Sequence, residues 1–179
     1  MLRAPLILAA ALTLASPAFA EEPPVWSYAR YVSESPITSY LGVIYGVPQT
    51  DDVRAYVECL IEGQGASVVF ALAADVEGLE DGTEVVVEFT GPGFRTGHGG
   101  TVVRFEEGLW GVMLPFALDA EFWHWLRFEP EVTYGVEGRA TLTLPISGLA
   151  EHLQAFLADC DNIRNLRPEP EPGTLPTKG

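Results

Sequence analysis

From Val53 the chain alternates: Ala55, Val57, Cys59 and Ile61 fall on one side of an extended backbone, and Arg54, Tyr56, Glu58 and Leu60 on the other. A period of two marks a half-buried strand. The pattern returns at Thr83–Phe89, where Val85, Val87 and Phe89 oppose Glu84 and Glu88. It returns again at Arg139–Leu144, where Ala140, Leu142 and Leu144 oppose Arg139, Thr141 and Thr143. Ser67–Ala74 (SVVFALAA) is apolar on both sides and suits an interior strand. Leu41–Val47, Thr101–Phe105, Leu109–Phe116 and Glu131–Val136 are further β-like runs. Turn signals separate them: Pro48–Asp52, Glu62–Gly65, Asp81-Gly82, Glu106–Gly108 and Glu137-Gly138.

Two segments break the period of two. Ala120–Phe128 (AEFWHWLRF) fits either period and is read as a short helix, with Asp119 as its N-cap. That reading sends Phe122, Trp125 and Leu126 to the core and leaves Trp123 and His124 exposed. The last element is a helix capped by Ser147, with Leu149, Leu153, Phe156, Leu157 and Cys160 on one stripe. About seven strands followed by a helix predict a mostly β (α+β) domain, because runs of strands argue against βαβ units. The expected architecture is an antiparallel β-sandwich or curled sheet carrying the C-terminal helix.

The first twenty residues read as a secretory signal peptide: Arg3, an apolar run at Leu6–Leu14, and Ala18-Phe19-Ala20 as the cleavage site. The expected organisation is a signal peptide over 1–20 and an extended, aromatic and proline-containing lead-in over 21–52. A single globular domain follows over 53–166, then a disordered Pro/Glu tail over 167–179. Cleavage after Ala20 implies a periplasmic or secreted protein with no stable membrane insertion afterwards. The two cysteines, Cys59 and Cys160, form an even count in an exported chain, which points to a disulfide from strand to helix. The alternative, a redox pair, usually spaces its cysteines two apart. The chain holds 25 acidic and 10 basic residues, a formal net charge of −15, which argues against nucleic acid as a partner.

Catalytic signatures are missing. No G-x-S-x-G occurs, and Ile146-Ser147-Gly148 reads as a helix cap. His98, His124 and His152 share no metal-ligand spacing. The acidic groups near Asp51-Asp52 and Glu77–Glu84 lack the EF-hand pattern and read as solvated turns. No cofactor is expected. The glycine-rich stretch GPGFRTGHGG at 91–100 lacks the lysine and the following helix of a phosphate cradle. It is read as a long connection between strands that exposes Phe94, Arg95 and His98. With Trp110, Trp123 and His124 these are the candidate contact residues.

The YVECLI strand with Cys59, the Leu-Pro-Ile-Ser-Gly run at 144–148, and Cys160 on the closing helix resemble small exported proteins of Gram-negative bacteria. Among these are the type VI secretion-associated periplasmic accessory proteins and, more remotely, the invasion-associated locus B proteins. The resemblance spans roughly Val53 to Cys160, contains no catalytic motif, and implies an envelope accessory or interaction role. The expected function is a non-enzymatic module binding another envelope or secreted protein. The alternatives are a carbohydrate or small-ligand binder using Trp110, Trp123 and Trp125, or a hydrolase with carboxylates around His98.

Overall fold

The computed structural model describes residues 22–62, 65–104 and 110–168. The predicted signal peptide, the Glu106–Gly108 turn and all but the first two residues of the predicted tail lie outside the described residues. Among the described residues nine strands form one continuous antiparallel sheet: β1 (Val25–Tyr31), β2 (Tyr40–Gly46), β3 (Val53–Glu62), β4 (Gly65–Ala73), β5 (Glu84–Gly91), β6 (Phe94–Arg104), β7 (Trp110–Phe116), β8 (Glu131–Val136) and β9 (Leu142–Pro145). Among the described residues two α-helices accompany it, α1 (Glu121–Leu126) and α2 (Leu149–Asp161). The spatial order is β1-β2-β3-β4-β7-β6-β5-β8-β9. The chain thus runs two meanders, β1 to β4 and β5 to β7, and the second joins the first through β7 against β4. One unbroken ladder decides for the curled sheet over the sandwich.

The curl brings the two ends of the sheet together. Trp26 on edge strand β1 donates its indole N–H to the carbonyl of Pro145 on edge strand β9, at 2.8 Å. Tyr134 on β8 donates its hydroxyl to Ala73 O at the end of β4, at 2.6 Å. Inside lie the fully buried rings of Phe70, Phe89, Phe122 and Phe156 with Leu41, Leu72 and Leu114. Phe122 and Phe156 come from the helices, and the others from inward positions of the strands, where alternate side chains line the concave face of the sheet.

Helix α2 lies on β1, β2 and β4 with Leu149, Leu153, Phe156 and Cys160 buried. Cys160 is disulfide-bonded to Cys59 of β3, with Cα atoms 5.8 Å apart. A second tie is polar: Asp159 accepts from the Tyr28 hydroxyl at 2.9 Å and from Arg30 Nε at 2.8 Å. Burial, then the adjacent Asp159, push the Tyr28 hydroxyl well above the usual phenol range.

Several local readings change. The segment expected as a lead-in supplies β1 and β2 to the same sheet, because Trp26 packs on Tyr45 and Tyr28 edge-on to Phe156. Asp119 does not cap α1: the N-cap is Ala120, with no side-chain hydrogen bond. Ser147 does not cap α2 either. The N-cap is Gly148, at φ 88°, a left-handed conformation that glycine enters without a Cβ penalty. β9 starts at Leu142 and not at Arg139, whose guanidinium reaches to Glu77 O at 2.9 Å.

Candidate functional site

The GPGFRTGHGG stretch is not a loop. β5 ends at Gly91 and β6 begins at Phe94, paired with it, so only Pro92-Gly93 forms the turn. The remainder is the first half of an eleven-residue strand. Its alternation is hidden in the sequence because glycine has no side chain to show which face it occupies. At Gly100 the close approach of β7 excludes any other residue: a Cβ there would lie 2.7 Å from Met113 O.

As a strand, the stretch splits its three candidate contact residues between two faces. Arg95 projects outward and pairs with Glu88 on β5 at 2.9 Å. His98 projects inward against the rings of Phe89, Phe116 and Phe122, with centroids 5.9, 4.6 and 5.0 Å away. A ring nitrogen of His98 lies 3.3 Å from Thr96 Oγ1. Burial holds its imidazole below the ordinary value. Its surroundings are the packed aromatic rings of the core. Phe94 turns inward at the end of the sheet and stacks on Trp125 of α1, centroids 5.7 Å apart.

The second half of the candidate set gathers at α1. Trp123, expected to be exposed, is buried. Its indole N–H donates to Ala117 O at 2.9 Å, and its ring packs on Phe70, Phe116 and Phe122. Phe122, Trp123 and Leu126 form a single buried stripe about 100° wide, so the helix is turned from the expected Phe122, Trp125 and Leu126 stripe toward Trp123, which meets Phe70 and Phe116. Trp125, assigned to the core from sequence, is only half-buried. His124 is exposed as expected. Arg127 Nη2 donates to its Nδ1 at 2.9 Å, and its ring meets Phe128 at 5.0 Å.

Phe128 completes this surface, and sequence reasoning missed it as a site residue. It is 68% exposed, with the Arg127 guanidinium over its ring at 5.0 Å. The sequence signalled only that the helix ends ahead of Glu129-Pro130; it carried no signal for the exposure of the ring. Beside it, Arg127, Phe128, Ala150, Glu151 and Gln154 line a shallow depression of about 390 Å³ between α1 and α2. Trp110 stands apart on β7, 40% exposed, with Arg104 over its ring at 4.4 Å. Among the described residues no group of three or more His, Cys, Asp or Glu side chains could hold a metal ion. No helix among them is long and apolar enough to cross a membrane.

Fold and site together define a class: a curled antiparallel sheet, locked to its last helix by a disulfide, with aromatic and cationic side chains grouped at one end. No protein-family model matches the chain, and no curated protein matches it. Among solved structures the chain is similar to invasion-associated protein B of Bartonella henselae, at 12% identity and a TM-score of 0.47. That match covers 79% of this chain and 97% of the other. It is a distant likeness of fold.

Proposed function

We propose that this protein is a non-enzymatic interaction module of the cell envelope, periplasmic or secreted, that contacts another envelope protein through the surface of α1. The observation that carries the reading is Phe128: a phenyl ring 68% exposed, held between Arg127 and His124 on a chain of net charge −15. Burying such a ring stabilises a complex by ~1.5–3 kcal/mol, and aromatic side chains with arginine are the residues enriched at interface centres. Trp125 lies on the same helix, and its stack on Phe94 of β6 extends the apolar area. The predicted leader and the disulfide support an extracytoplasmic setting.

The test is crosslinking in the periplasm from a photoreactive residue placed at 128. A defined partner band is expected, and Phe128→Ala with Arg127→Ala should reduce its recovery about tenfold, equivalent to ~1.4 kcal/mol. Ile37→Ala, at an apolar residue 76% exposed between β1 and β2, should leave it intact. Full recovery with the double variant would remove the α1 surface from the reading.

A second reading rests on Trp110, whose ring borders a depression of about 550 Å³ formed with the segment Ala74–Leu79. An exposed indole beside Asp75 and Glu77 suits a sugar ring. Tryptophan fluorescence titrated with glycans should then change in the parent chain and not in Trp110→Phe.

A further inference from the structure

We propose that the outer face of β5, β6 and β7 is a docking groove for an extended, lysine- or arginine-bearing apolar segment of a partner protein. The inference stands on a different face from α1 and does not depend on it.

The groove has a physical origin. β6 pairs with β5 over Phe94–Thr101, but with β7 only over Thr101–Arg104. β7 continues to Phe116 against β4 alone. Pro115 has no N–H to donate, so the ladder to β6 does not extend past it. The strands part, and inside the opening is plugged by His98 against Phe116. Outside, it is a depression of about 780 Å³. Its floor is Gly99, where an added Cβ would meet nothing within 4 Å. Its walls are Val86, 44% exposed, and Met113 with Pro115. Gly99 thus leaves space on the outer face that packing does not require.

The charge at the groove selects the occupant. Glu84 and Glu137 line it, both exposed. One strand beyond its opposite wall, Glu58 stands level with Val69 on the same outer face. Burial raises the Glu58 carboxyl above its ordinary value of 4.5, a penalty that an incoming cation offsets. Glu88 is already engaged by Arg95. An apolar trough between carboxylates fits a chain that alternates apolar and basic side chains, and the backbone of β6 facing the parted region has no ladder partner among the described residues to compete for. A second copy of this chain would bring acid against acid.

The probe is a fluorescein-labelled decapeptide of alternating lysine and valine, with its glutamate-for-lysine counterpart, titrated by anisotropy against the secreted chain. The basic peptide should bind, weaken with salt, and protect the amides of Gly97–Gly100 from hydrogen exchange. Gly99→Leu, which fills the groove, should weaken it about tenfold while leaving the melting curve unchanged. Glu84→Lys with Glu137→Lys should do the same, and carries the test alone should Gly99→Leu not fold. Phe128→Ala should change nothing, which separates this surface from α1. Equal affinity for Gly99→Leu, equal binding of the acidic peptide, protection elsewhere, or no binding each overturns the proposal. So does sedimentation showing that Gly99→Leu converts a dimer to a monomer, since the groove would then hold a second copy.

Discussion

His98 shows how a single residue carries both packing and pH dependence. Its imidazole lies among three phenyl rings, and burial lowers its proton affinity in the folded chain relative to the ordinary value of 6.5. The unfolded chain therefore binds the proton more readily. The contribution to stability is complete above pH 6.5 and is lost as pH falls below it, through the lowered folded-state value. Melting temperature should hold steady above neutrality and decline through the mildly acidic range. His98→Phe, which keeps an aromatic ring in the box, should flatten that part of the profile, and an unchanged slope would show that another group is responsible. Trp123 is the other residue whose setting decides its role. Replacing it with alanine leaves a large cavity beside Phe70 and Phe116, and denaturant unfolding should report a loss of ~3–5 kcal/mol. A surface tryptophan, which the helical pattern suggested, would lose almost nothing.

At the scale of elements, α2 is held by three independent means: its apolar stripe, the Asp159 contacts with Tyr28 and Arg30, and the bond from Cys160 to Cys59. The disulfide spans a sequence separation of 101, and the chain-entropy model gives a loop of that order ~4.7 kcal/mol. Cys59→Ala with Cys160→Ala should lower the unfolding free energy by up to that amount, and exchange should rise first in α2 and β1. This helix was legible in the sequence because its stripe is written in large side chains at helical spacing. Its start was not, since a positive φ at Gly148 depends on the direction from which β9 delivers the chain. β6 was half legible for the opposite reason. Thr101–Arg104 shows its alternation, while Gly97, Gly99 and Gly100 carry none, and the strand's continuation is imposed by pairing with β5. The same pairing explains why Phe94, Arg95 and His98 do not act as one contact surface.

Over the whole molecule, the curl is closed by contacts between residues far apart in the chain. Trp26 is the hydrogen bond between the two edge strands, formed by residues 119 positions apart. Trp26→Phe retains most of the buried ring and removes the donor, which leaves Pro145 O without its indole partner. Stability should fall by ~1 kcal/mol, with faster amide exchange in β1 and β9 and little change in β3 and β4. Uniform exchange across the sheet would mean that the seam does not hold the curl.

The sequence by itself determined the β-rich class, most strand positions, the inward face of the strands whose side chains alternate, the final helix and its cysteine bridge. All of these follow from side-chain periodicity and from chemistry local to a few residues. Only the tertiary structure decided that the sheet is single and curled, that Val25–Gly46 belongs to it, and that Trp123 is core while Phe128 is surface. It also decided that β6 and β7 part above Gly99. These depend on which strands meet, and strand pairing is set by contacts between residues far apart in the chain, where no local period records it.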